Sequence, residues 1–208
     1  GTDNGFFQFD PKTKLTNAFV DESNGILQYS AVYTLALDSF GTLWIGTNST
    51  GMYKYEERSL FKSYRYDKGK SGTLTNGWVN HIVELKNGKI LVTTSGVQDC
   101  GFNLIDLQNN EILSFPSRKY LNGSYGATSI IEHSPGEVYI SSDKGLFQFS
   151  YPGNQIKKIT LPGIPESVVI NYFLKDRNGN QWIFSYQGIY IKKATDLEYQ
   201  KPQFEFEP

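Results

Sequence analysis

"GTLWIGTNSTGMYKY", residues 41–55, sets a turn glycine, a Trp-centred apolar strand, a second glycine turn and an aromatic strand within fifteen residues. Whether it is one hairpin of an ordinary domain or one copy of a recurring unit decides the fold. Placing the first glycine in register with similar stretches gives "GTLWIGT" at 41, "GKILVTT" at 88, "GEVYISS" at 136 and "GNQWIFS" at 179, spaced by 47, 48 and 43 residues. Nine residues before these glycines stand Val32, Val79, Ala127 and Ile170; six before stand Leu35, Ile82, Ile130 and Phe173. Register held through four copies marks a repeat protein, and a period of about 40 to 50 residues belongs to propellers and solenoids.

Downstream of each copy a second glycine opens another alternating strand: "GMYKY" at 51, "GFNLI" at 101, "GLFQF" at 145 and "GIYI" at 188, with "GFFQF" at 5 as a fifth. A weaker strand follows each, near Leu15 to Phe19, Leu60 to Tyr64, Ile112 to Phe115, Ile156 to Ile159 and Phe204 to Phe206. Turn chemistry such as "KNGK", "SPGE" and "RNGN" joins them as antiparallel hairpins. No stretch keeps a capped 3.6-residue apolar period, so helix is expected to be scarce. Four short strands per unit of this length make one blade of a β-propeller. The expected fold is therefore all-β, with about four and a half blades: a half blade at 1–30 and blades at about 31–78, 79–126, 127–167 and 168–208. An arc of that size is expected to be part of a larger propeller, or to associate with itself through its open ends. The chain starts inside strand-like sequence, as a piece of a longer protein would.

Composition agrees and removes other classes. The 208 residues include 14 Tyr, 14 Phe, 3 Trp and 20 Gly, which favours strands and turns. Twenty basic and 21 acidic residues leave a net charge of −1, and no Lys/Arg run is dense enough to neutralise a row of phosphates; nucleic acid is not an expected partner. Cys100 is the sole cysteine, which excludes an internal disulfide and a thiolate metal cluster. No stretch approaches the roughly 18 apolar residues of a membrane-spanning helix, so insertion into a membrane by this segment is not expected.

Residues 32–55, "VYTLALDSFGTLWIGTNSTGMYKY", closely resemble the two-component regulator propeller repeat: an apolar strand, Asp-x-x-Gly, Leu-Trp-Ile-Gly-Thr, then Gly-Leu-x-x-Tyr. Asp38, Gly41, Leu43 to Thr47, Gly51 and Tyr55 carry the match. Residues 173–191 are a second copy through Asp176, Gly179, Trp182, Ile183 and Gly188. The units between are degenerate, with Leu85 and His133 replacing the Asp and Leu91 and Tyr139 replacing the Trp. The resemblance implies a periplasmic sensor: in that family such propellers form the extracytoplasmic part of hybrid two-component histidine kinases, especially of gut Bacteroidetes, and commonly detect breakdown products of complex glycans. It also implies part of the sensor only, without kinase, receiver or DNA-binding segments and without catalysis of its own.

The residues that obey the repeat, Asp38, Gly41, Trp44, Gly51, Asp176, Gly179, Trp182 and Gly188, are expected to be architectural, the Trp residues packing between blades and the Asp residues bonding turn amides. "DRNGN" at 176–180 alternates oxygens as a calcium loop does, but it is too short and has no closing Glu. His81 and His133 lack further ligands in the pattern, so neither metal nor cofactor is expected. No nucleophile elbow, His-Glu-x-x-His, phosphate loop or paired carboxylates are present to support catalysis.

Residues that depart from the repeat on one loop face are where binding can diversify. The insertion "SGVQDC" at 95–100, the long connection "RYDKGKSGTLTNGW" at 65–78 and "KYLNGSY" at 119–125 share that face with Tyr186. Trp78, Tyr125 and Tyr186 offer ring faces and Gln98 and Asp99 hydrogen bonds, the combination that holds a sugar. An oligosaccharide is thus the expected ligand. The alternatives are a scaffold for protein contact or receptor dimerisation and, third, a propeller lyase. Far-ultraviolet circular dichroism should show a strand-dominated spectrum with helix below about one-fifth, against the third found in ordinary domains.

Overall fold

The computed structural model describes residues 1–18, 30–56 and 59–202. Strand makes up about half of the chain, and the helix among the described residues is a single turn, α1 (Ser117–Tyr120). A hairpin of β1 (Phe7–Phe9) and β2 (Thr16–Ala18) comes first. Blade one is β3 (Val32–Leu37), β4 (Leu43–Thr47), β5 (Met52–Glu56) and β6 (Ser59–Tyr64). Blade two is β7 (Trp78–Glu84), β8 (Ile90–Ser95), β9 (Gly101–Asp106) and β10 (Glu111–Pro116). Blade three is β11 (Ala127–Ser134), β12 (Glu137–Ser142), β13 (Gly145–Ser150) and β14 (Gln155–Ile159). Blade four is β15 (Ile170–Lys175), β16 (Gln181–Ser185) and β17 (Gly188–Lys192), followed by a bridge between Ile191 and Gln200. The strand expected near Phe204 to Phe206 and the end of the one at Phe19 lie outside the described residues.

Each sheet is an antiparallel meander, and the blade-opening strands β3, β7, β11 and β15 stand side by side in sequence order. Connections between blades and the turns between second and third strands open on one side of the arc, the upper face. The other two turns of each blade open on the lower face. Gly41, Gly88, Gly136 and Gly179 all have φ between +79° and +83°, the left-handed conformation that the first turn requires and that glycine adopts without strain.

The core is a series of layers between blades. Trp44, Met52 and Tyr64 of blade one meet Val79, Ile82, Ile90 and Val92 of blade two. Leu91, Phe102 and Phe115 of blade two meet Ile130, Ile140 and Phe149 of blade three, with Phe102 stacked on Phe115 at 4.6 Å. Leu146 and partly buried Tyr139 of blade three meet Ile170, Phe173 and Ile183 of blade four. Phe6 of the first hairpin meets Val32, Ile45 and Tyr53. Gly46 is bare because a Cβ there would lie 2.6 Å from the Val79 side chain of the next blade.

Polar bonds repeat across these joints. The Glu84 carboxylate accepts from the backbone N–H and hydroxyl of Ser39, both at 2.8 Å, and Glu132 accepts the Lys86 N–H at 2.8 Å; each belongs to the blade following the turn it holds. His81 Nδ1 accepts the Ile130 N–H at 3.0 Å, and Ser129 Oγ accepts the Phe173 N–H at 3.1 Å, at one repeat position in successive blades.

Within blade one, the Asp38 carboxylate takes the Phe40 and Thr42 N–H groups on one oxygen and the Trp44 indole N–H, at 2.9 Å, on the other. Asp176 does the same with Asn178, Asn180 and the Trp182 indole at 3.0 Å, bonds that hold its pKa below the usual carboxylate range, the indole bond most of all. Trp44 is fully buried, whereas Trp182 is only partly covered. Trp44→Ala should therefore lower stability by about 3 to 5 kcal/mol in urea unfolding, as for other buried Trp truncations, and Trp182→Ala by distinctly less.

Candidate ligand-binding face

The upper face between blades one and three is held by bonds from loop to loop. Trp78, the first residue of β7, donates its N–H to the Asn76 side-chain oxygen at 3.0 Å. The Asn76 amide nitrogen in turn donates to the carbonyls of Gln98 and Asp99 at 3.1 and 2.9 Å. Asp99 sits in the left-handed region at φ +47°, and its carboxylate accepts the Tyr66 hydroxyl at 2.8 Å, which raises the Tyr66 pKa. One loop on, the Tyr125 carbonyl accepts the Gly96 N–H at 3.0 Å, and its own N–H goes to Asp143 at 3.0 Å. Trp78, Gln98, Asp99 and Tyr125 thus belong to one connected set of loops, with Trp78 42% and Tyr125 65% exposed. Tyr186 stands on the β16–β17 turn of blade four, 87% exposed; no bond joins it to the other four.

Two clefts flank this set. One, of about 530 Å³, lies beside Trp78 and is lined by Asn48, Thr50, Arg65, Tyr66 and Asn76. The other, of about 600 Å³, runs beneath residues 66–75 to Asp99, Leu113 and Pro116. Trp78 also meets Tyr33 of blade one edge-on at 5.8 Å. Sequence reasoning did not single out Tyr33, Arg65, Tyr66 or Asn76. The last three sit inside the long connection it flagged, but no spacing rule ties Tyr66 to Asp99 across 33 residues.

The Asp176 carboxylate is already engaged by four N–H donors, which leaves little of it for a cation. Among the described residues no three His, Cys, Asp or Glu side chains gather to hold a metal. Cys100 is buried against the Ser117 hydroxyl at 3.1 Å, and burial raises its pKa.

His81 lines the inner edge of the arc, its ring 5.2 Å from that of Tyr172 two blades on. Burial pushes its pKa down to about 4.

Antiparallel meanders, three of four strands and one of three among the described residues, arranged as successive blades about a common inner edge make this chain a β-propeller domain. Residues 26–49 match the family described as two component regulator propeller. The chain is 27% identical over 188 residues to histidine kinase P4 of Formosa agariphila, covering 88% of this chain and 14% of the kinase. In fold it resembles the extracellular domains of two putative hybrid two-component systems of B. thetaiotaomicron. The first has a TM-score of 0.74 at 21% identity, covering 96% of this chain and 27% of the other. The second has 0.70 at 23%, covering 99% and 26%. The chain therefore spans about a seventh of the kinase and about a quarter of those solved chains. Among the described residues no helix is long and apolar enough to cross a membrane.

His81 generates a pH signature. Unfolded histidine titrates near 6.5 and the folded residue near 4, so between these values the unfolded chain binds a proton that the fold excludes. Stability should be lost as pH falls from about 6.5 towards 4, by up to roughly 3 kcal/mol. His81→Gln, which keeps an acceptor for the Ile130 N–H, should flatten the urea midpoint across that window.

Proposed function

We propose that this propeller is the ligand-sensing segment of a larger periplasmic receptor of the hybrid two-component kind, and that it binds an oligosaccharide released from a complex glycan. The observation that carries this reading is the Trp78 ring, exposed beside a cleft while its backbone is tied through Asn76 to the Gln98–Asp99 turn. An aromatic face in a fixed position, with carboxylate and amide groups at its rim, suits the apolar face and equatorial hydroxyls of a sugar ring. In this reading Gln98, Asp99 and Tyr125 contribute from the loops tied to Trp78 rather than from the lining of its cleft, and Tyr186 meets a ligand long enough to reach blade four. The similarity to a histidine kinase and to extracellular two-component domains supports a sensing role, and in this reading the segment binds rather than catalyses.

Trp78→Ala should weaken oligosaccharide binding at least tenfold in calorimetric titration and shift stability by less than about 1 kcal/mol, the range of surface substitutions. Unchanged affinity, or unfolding of the variant, would overturn the assignment of Trp78. A surface serving only protein contact would bind no oligosaccharide in either form.

A further inference from the structure

The cleft of about 530 Å³ beside Trp78 has a single charged residue in its lining, the exposed Arg65, and no acidic one. Among the described residues the Arg65 guanidinium makes no hydrogen bond or ion pair. Its backbone is nonetheless held in place. The residue follows β6, its carbonyl accepts the Leu74 N–H at 3.1 Å and so closes the loop at 66–73, and its Cα packs so near Gly51 that a Cβ there would lie 3.2 Å away.

The neighbouring charges belong to the other cleft. Asp67, Lys68, Lys70 and Asp99 line that one, where Asp67 meets Lys70 at 3.5 Å and Asp99 takes the Tyr66 hydroxyl. Hydrogen-bonding capacity beside Trp78 is unbalanced in the same sense as charge. The side-chain oxygens of Asn48 and Asn76 are already engaged, by the Ser49 hydroxyl at 3.1 Å and the Trp78 N–H at 3.0 Å. Tyr53 also lines the cleft, and its buried hydroxyl makes no hydrogen bond among the described residues. Donors are left over where acceptors are spent, so the complement of this cleft is a group that only accepts and carries negative charge.

We propose that the ligand of this cleft is an acidic oligosaccharide, whose carboxylate or sulfate ester is held by the Arg65 guanidinium while the Trp78 ring covers a sugar ring beside it. The proposal rests on the sugar-binding reading of Trp78 and gives that sugar its chemical class. A guanidinium presents its N–H groups as a planar fork that matches two oxygens of either anion, and being weakly hydrated it surrenders water readily. A single cation suits one acidic group on a sugar and not a row of phosphates. Arg65 therefore sets specificity, and Trp78 supplies the apolar contact that any sugar would share.

Calorimetric titration with three sets of short oligosaccharides tests this: uronates, sulfate esters of neutral sugars, and the uncharged counterparts of both. At least one acidic set should bind more tightly than its uncharged counterpart, and that advantage should shrink as salt is raised. Arg65→Gln should weaken the acidic ligand by about tenfold or more, the scale of a lost charge-assisted bond, and leave the uncharged counterpart within about twofold. Its melting curve should match the parent's, because Arg65 makes no bond within the fold. Arg65→Lys, which keeps the charge without the fork, should restore part of the loss. Which acidic set responds to Arg65→Gln tells carboxylate from sulfate. If uncharged sugars bind as tightly as acidic ones, or acidic binding ignores Arg65→Gln while Trp78→Ala weakens it, the acidic assignment is overturned and the sugar-binding reading stands. If no oligosaccharide binds the parent, both fall.

Discussion

A four-stranded sheet has two faces, and in this chain no blade can hide either of them alone. Trp44 is sealed by Val79 and Ile82 of the following blade, Leu91 by Ile130, and Tyr139 by residues of blade four. Stability is thus a property of joints: each has an apolar layer, the first two add a turn amide held by a carboxylate, and the second and third add an inner-edge N–H held by His81 or Ser129. The same constraint explains the ends of the arc. Trp182 keeps its indole bond to Asp176, a bond made within the blade, yet is only partly buried among the described residues.

Each blade solves one local problem in its own way. The residues three before and three after the turn glycine are Asp38 and Trp44 in blade one, joined by a hydrogen bond. They are Leu85 and Leu91 in blade two, buried in one apolar cluster. They are His133 and Tyr139 in blade three, stacked at 4.5 Å, and Asp176 and Trp182 in blade four. An indole N–H at this depth needs an acceptor, and a carboxylate there needs donors, so the pair changes as a unit. What looks like loss of the repeat in the middle blades is replacement of one satisfied pair by another.

The upper face carries no such obligation, because its loops cross from blade to blade over the ends of the strands. The insertion at 96–100 and the long connection at 65–77 lie together there only because β7 and β8 belong to one sheet. Asn76 then turns two loops into one support under Trp78. Tyr186 shares the face but not the network, so the surface divides into a tied region over blades one to three and an isolated ring on blade four.

The blades, their order and their strand positions were legible in the sequence, because turn glycines with positive φ and strict alternation are demanded locally and recur at a constant spacing. The Asp–Trp relation was present as well, in that both residues vanish together from the same units. Tertiary structure alone decided which side chains meet across units: Tyr66 with Asp99, His81 with Ile130 and Tyr172, Glu84 with Ser39. It also decided that two tryptophans at one repeat position differ in exposure. The physical reason is that turn conformation and strand alternation are settled within a few residues, whereas burial and electrostatic environment depend on which neighbouring blade lies against each face.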